Sequence, residues 1–182
     1  MLQLNFDPFP ILTSNRLTLR ELSYGDEQEI YELRKDEEVN RFLAREKAKS
    51  IEDARKFITL ILQNIRNNES ILWAINKKGD SKLIGSVVYY NISKKDSRAE
   101  IGYELSPAWQ GKGIMQEALE TVIHFGFDQL GFETIEAWPT EENTRSILLL
   151  EKFDFKKVED DPRLLTEDNK GMLLYSLSRI SN

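Results

Sequence analysis

The sequence predicts a mixed α/β (α+β) fold in one domain over residues 1–182, and three observations carry that expectation. Strand-like runs separated by short turn-forming segments follow one another between Ser70 and Leu105, as in an antiparallel meander. A strand, a glycine-rich loop, a helix and a further strand then span Arg98 to Trp138, which implies a parallel crossover within the sheet. The chain has 182 residues, 40% of them hydrophobic, which suits one packed core. No internal repeat, low-complexity segment or linker divides it.

Arg16 to Leu22 alternates polar and apolar residues, the pattern of a half-buried strand. Asp26 to Lys35 reads as a short helix. Ser50 opens a longer one, in which Ile51, Ala54, Phe57, Ile58, Ile61, Leu62 and Ile65 share a face, and Ser50 with Asp53 forms a capping box. Strands follow at Ser70 to Asn76, Leu83 to Asn91 and Arg98 to Leu105, with Lys78-Gly79-Asp80 and Lys94 to Ser97 as turns. A helix over Ile114 to Leu130 turns Ala118, Leu119, Val122, Ile123 and Phe127 inward, and Gly131 stands where a C-terminal cap belongs. Thr134 to Trp138 is a short strand stopped by Pro139. Asn143 to Phe153 is a helix; Phe155 to Val158 and Met172 to Arg179 are the last strands.

Composition removes several functions. There is no cysteine and a single histidine, so thiolate chemistry, a histidine-based metal cluster and a Ser-His-Asp triad are all unsupported. Acidic residues outnumber basic ones 31 to 25, and no basic face is evident, which argues against direct nucleic-acid binding. No apolar run approaches the ~20 residues of a membrane span. Met1 to Asn5 shows no basic-then-apolar leader. A cytoplasmic protein with no metal and no membrane partner is the expectation.

The informative segment runs from Ala99 to Ala118, where a strand feeds a glycine-rich loop and the loop opens a helix. A helix start presents unpaired N–H groups and partial positive charge. Gly111 and Gly113 let the backbone approach an anion without an intervening Cβ, and Lys112 adds charge. The glycine spacing matches neither a Walker loop nor a dinucleotide fingerprint.

Gln110-Gly-Lys-Gly-Ile-Met115 resembles the pyrophosphate loop of the GNAT N-acetyltransferases, Gln/Arg-x-x-Gly-x-Gly/Ala, with Met115 in place of the small last residue. Leu12 to Arg20 and Ala99-Glu-Ile-Gly-Tyr103 are similar to strands of the RimJ/RimL-like branch, which acetylates N-terminal amines of ribosomal proteins. Asn143 to Phe155 resembles the helix that closes its cofactor site, with Asp154 replacing a glycine; aspartate tolerates a left-handed turn better than most residues. The resemblance implies a GNAT fold: a mostly antiparallel twisted sheet, a parallel pair at a splayed cofactor cleft, and about four flanking helices. It also implies acetyl-CoA as co-substrate and an amine acceptor, either a protein N-terminus or a small molecule such as a polyamine, amino sugar or antibiotic. A non-catalytic acetyl-CoA-binding module is the alternative of a different class.

On the resemblance, Gln110, Gly111, Lys112, Gly113, Ile114 and Met115 bind the diphosphate, and Tyr103 to Ser106 (with Leu105 and Ser106 foremost) hold the pantetheine arm. A backbone N–H near Leu105 is the expected oxyanion donor. Asn143 hydrogen-bonds the pantetheine. Glu100 and Glu104 lie four residues apart on one strand and so on one face. Glu100 is the candidate base, acting through water, and Glu104 positions the acceptor. Many GNAT enzymes use a tyrosine seven residues after the asparagine as the acid, and here that position is Leu150; the resembling RimJ/RimL-like branch instead has a serine three residues after the asparagine, which implies Ser146 as the candidate acid. Trp138 is a candidate wall of the acceptor cleft. His124 falls on a polar helix face, and Lys156-Lys157 and the acidic stretch Asp160 to Asp168 read as solvated. Val39 to Ser50 and Asp160 to Gly171 are the expected specificity segments. A homodimer is left open by the aromatics of residues 6–11, expected to be exposed.

Overall fold

The computed structural model describes Leu2 and residues 4–179. Its sheet is built from eight strands: β1 (Leu12–Thr13), β2 (Leu17–Arg20), β3 (Ile71–Lys77), β4 (Leu83–Ser93), β5 (Arg98–Leu105), β6 (Thr134–Ala137), β7 (Lys156–Val158) and β8 (Leu174–Ser178). They lie in the order β1-β2-β3-β4-β5-β6-β8-β7, and among the described residues only the β5–β6 pair is parallel. The helices are α1 (Glu27–Lys35), α2 (Glu37–Asn40), α3 (Ile51–Arg66), α4 (Ile114–Asp128) and α5 (Thr144–Lys152). Among the described residues no helix is long and apolar enough to cross a membrane.

Local chemistry explains most of these boundaries. Ser50 accepts a hydrogen bond from the Asp53 N–H (3.2 Å), and Asp53 accepts one back from the Ser50 N–H (3.2 Å), which satisfies two orphan donors at the start of α3. Asp154 adopts a φ of 63°, the left-handed turn anticipated for the residue that replaces glycine after α5. The polar–apolar alternation of Arg16 to Leu22 shrinks to Leu17–Arg20, and the strand expected to reach Trp138 stops at Ala137. Two elements, β1 and α2, are too short for periodicity to reveal. Asp36 caps α2 by accepting from the Val39 N–H at 2.9 Å.

Trp73 on β3 sits at the centre of the core, fully buried, with Phe9, Tyr89 and Phe125 edge-on at ring separations of 6.2, 6.0 and 5.6 Å. The Tyr89 hydroxyl donates to the Val122 carbonyl at 2.9 Å, which joins β4 to α4. Close approach here requires Gly126: a Cβ at that position would lie 2.5 Å from the Tyr89 hydroxyl. The aromatics of residues 6–11 are not the exposed patch expected from sequence. Phe6 is 2% exposed, Phe9 packs on Trp73, and the Pro10 carbonyl accepts from the Trp73 indole at 2.8 Å. These rings are drawn inward because the segment lies across the Trp73 cluster, which leaves Asp7, Pro8 and Ile11 exposed, Ile11 at 65%.

Candidate active site

The parallel β5–β6 pair is the feature that opens a cleft. Register holds for Arg98↔Thr134, Ala99↔Ile135 and Glu100↔Glu136, and ends there. Beyond Glu100, β5 continues to Leu105 paired only with β4 (Tyr103↔Val87, Leu105↔Gly85), while β6 ends at Ala137. The two strands therefore form a wedge whose apex is at Glu100. The Ser106 N–H donates to the Ile84 carbonyl on β4 at 2.9 Å. Peptide groups alternate sides along a strand, so the N–H groups of Tyr103 and Leu105 face the opposite way, into the wedge.

At the mouth of the wedge stands the loop before α4. Gly111 and Gly113 adopt φ of 72° and 71°, which a β-carbon would strain, and Gly113 is the N-cap of α4. Having no side chain, it leaves the amides of the first turn without a capping acceptor, in a helix of 15 residues. Gln110 is turned inward: its side-chain NH₂ donates to the Leu105 carbonyl at 3.0 Å, and its oxygen accepts from Arg145 at 2.9 Å. Lys112 curls back to the Ala108 carbonyl (2.9 Å) and lies over the Trp109 ring, so its ammonium flanks the loop rather than entering it. Ile114 and Met115 are buried and anchor the helix start in the core.

The loop is braced from the far end of the sequence, which the sequence reading missed. The Arg16 guanidinium donates to the carbonyls of Lys112 (3.1 Å) and Gly113 (3.2 Å) and to Glu117 (2.5 Å). Glu117 also accepts from the Ser14 hydroxyl and the Arg16 N–H, both at 2.6 Å. Burial pulls its carboxyl upward, but these donors outweigh burial and hold it below the ordinary carboxylate range.

The two faces of β5 carry different chemistry. On the α4–α5 face, the Tyr103 hydroxyl meets the Ser146 hydroxyl at 2.7 Å. Ser146 is set in the first turn of α5, where Asn143 caps the helix by accepting from the Ser146 N–H at 3.2 Å. The Asn143 oxygen is thus engaged with its own helix. Burial pushes the Tyr103 phenol up to about 12, against the smaller opposing effect of Ser146. Leu150 is fully buried. Tyr103 carried a resemblance in sequence but no side-chain role; nothing local announces a partner 43 positions away.

On the opposite face lie Glu100 and Glu104. Glu104 is nearly buried, pairs with Arg45 at 2.5 Å and accepts from Ser86 at 3.3 Å. Arg45 also donates to buried Asn40 at 2.7 Å, so the segment between α2 and α3 is tied to β5. Glu100 accepts from Asn91 at 3.0 Å and lies beside Tyr90, whose hydroxyl is pushed well up by burial and then by the Glu100 charge. The four-residue spacing sets the two carboxylates about 13 Å apart along the strand, so they do not act on one atom. Glu136, next to Glu100 across the apex, is also buried, and it accepts from Arg163 (2.7 and 2.9 Å) and Arg98 (3.3 Å). Arg163 stacks over the Trp138 ring at 5.4 Å and fastens the 161–170 segment beside the wedge. Trp138 is half-buried, with its indole N–H enclosed and unpartnered. His124 is exposed, and Lys156 and Lys157 reach only Asp154 and Glu159, at 3.6 Å each. Among the described residues no group of three or more His, Cys, Asp or Glu could hold a metal.

A parallel pair that splays beside an uncapped helix start defines a class of group-transfer fold, and comparison with known proteins agrees. The acetyltransferase (GNAT) domain model matches residues 16–156, and the chain belongs to that family. It is an acetyl-CoA-dependent N-acetyltransferase. YoaA, an uncharacterised N-acetyltransferase of Bacillus subtilis strain 168, is 34% identical over 149 residues, covering 82% of this chain and 84% of YoaA. Among solved structures, the ribosomal L7/L12 α-N-protein acetyltransferase RimL, bound to coenzyme A, superimposes with a TM-score of 0.80 at 17% identity, over 93% of this chain and 98% of RimL. The microcin C7 self-immunity acetyltransferase MccE, bound to acetyl-CoA and AMP, does so with a TM-score of 0.77 at 20% identity, over 91% and 93% of the two chains. These last two likenesses establish the fold.

Proposed function

We propose that this N-acetyltransferase, acting in the cytoplasm, transfers the acetyl group to the N-terminal amine of a protein such as a ribosomal protein. The wedge at Glu100 carries the reading. The α4 start and the left-handed glycines fit a diphosphate, and the open edge of β5 fits the amide-bearing pantetheine arm, with Leu105 and Ser106 at its entrance. Acetyl-CoA supplies an activated thioester; the chain supplies position and proton transfer. A single wedge-facing N–H near Leu105 stabilises the developing oxyanion. Glu100, at the apex, takes the amine proton through a chain of waters, and Glu104 with Arg45 orients the acceptor. Ser146, backed by Tyr103, returns a proton to the departing thiolate. Trp138, held under Arg163, walls the acceptor side. The Asn143 amide NH₂ remains the group available to the pantetheine, since its oxygen caps α5.

The shared fold of RimL, which is named a ribosomal L7/L12 α-N-protein acetyltransferase, supports a protein acceptor; the likeness to MccE, which is named a microcin C7 self-immunity acetyltransferase, keeps a small-amine acceptor as the second reading. Thiol release from acetyl-CoA, measured against N-terminal peptides and small amines, decides between them. Turnover on peptides alone supports the first reading, and turnover on small amines alone overturns it.

A further inference from the structure

Arg16 and Glu117 stand 101 positions apart in the chain, yet they form the tightest polar cluster at the proposed diphosphate loop. Two features of the cluster matter. In a trans peptide the C=O and the following N–H point in opposite directions. Arg16 takes the carbonyls of Lys112 and Gly113, so the N–H groups of Gly113 and Ile114 are turned away from it, toward the open side of the loop. Further, Glu117 lies in the first turn of α4, where an unpaired carboxylate would repel a bound diphosphate. Its two oxygens are instead taken up by Ser14, the Arg16 N–H and the Arg16 guanidinium. Each of Arg16's three guanidinium nitrogens thereby donates to a protein atom, so three of its five N–H groups hold the loop and it acts there as a brace.

We propose that Arg16, through Glu117 and the carbonyls of Lys112 and Gly113, is a positioning residue for the diphosphate: it aims the loop amides and cancels the carboxylate that would oppose the anion. The inference rests on the reading that the α4 start receives the diphosphate. It assigns a binding role to the N-terminal strand segment, which touches no proposed reacting atom.

Calorimetric titration with coenzyme A, beside turnover of acetyl-pantetheine, which lacks the diphosphate and nucleotide, tests it. Arg16→Ala should weaken coenzyme A binding at least about tenfold, the loss of one charge-assisted contact set, and leave kcat/KM for acetyl-pantetheine within about threefold. Adding Glu117→Gln to Arg16→Ala should recover a substantial part of the loss, because the uncancelled charge is then gone. Glu117→Gln alone should bind coenzyme A within about threefold of the unaltered protein, since the carbonyl contacts persist. Arg16→Lys, which keeps the charge without the fork, should fall between. Equal losses for coenzyme A and acetyl-pantetheine, or no recovery in the double variant, overturn the proposal and leave Arg16 a stabilising contact. Failure of the unaltered protein to bind coenzyme A sinks the diphosphate reading itself.

Discussion

Replacing Tyr103 by phenylalanine removes one oxygen and keeps the ring, and so separates packing from proton transfer. The hydroxyl lies 2.7 Å from Ser146, and the phenol is pushed up to about 12 by burial, so it stays protonated across the working range. If the contact only holds α5 against β5, its loss costs about 1 kcal/mol. For a chain of this length that lowers Tm by about 2–4 °C. If the paired hydroxyls feed a proton to the thiolate, the loss in kcat belongs to general acid catalysis, about 10²-fold or more. The KM for acetyl-CoA should then change less than about threefold, because no binding group is removed. Thiol release at saturating substrate, with thermal melts on the same samples, reads both quantities. Ser146→Ala should fall to a similar rate, and the double variant should be little worse than either, as expected for residues acting as one unit. A Tyr103→Phe enzyme with kcat within threefold and Tm lowered by a few degrees refutes the relay and leaves a structural hydrogen bond.

Other expectations follow from single contacts. Glu100→Gln should lower kcat by about 10²-fold with little change in either KM; an unchanged rate removes Glu100 as base. Glu104→Gln leaves the half-buried Arg45 without its 2.5 Å partner, so the acceptor KM should rise, and hydrogen exchange in the Arg41 to Ser50 segment should quicken. Gly126→Ala forces a Cβ to within 2.5 Å of the Tyr89 hydroxyl and should cost about 1–3 kcal/mol, read as a lowered Tm. Asp161 is held down to about 2, chiefly by Arg163. Its folded value lies below the unfolded one of about 3.9, so its contribution is present above pH ~4 and lost as pH falls toward ~2. Asp161→Asn should flatten stability over that window in acid unfolding followed by circular dichroism.

Short-range physics made much of this molecule readable. The α3 stripe and its Ser50–Asp53 box, the left-handed Gly111 and Gly113, the turn at Asp154 and the meander of β3, β4 and β5 each depend on residues a few positions apart. The loop that opens α4 was legible for the same reason. Two-residue β1 and four-residue α2 were not, since neither completes a period.

What only the tertiary structure decided are pairings between distant segments. No spacing rule joins Arg16 to Glu117, Arg45 to Glu104, Tyr103 to Ser146 or Arg163 to Glu136. Each of these depends on where the chain returns to the sheet. The aromatics of residues 6–11 make the same point: their composition suggested an exposed patch, while their position across Trp73 buries Phe6 and packs Phe9 against the core. Sequence therefore determined which groups are available and which local turns they favour. The order of strands determined which groups meet, because a hydrogen bond of less than 3 Å is set by the packing of whole elements and not by the identity of either partner.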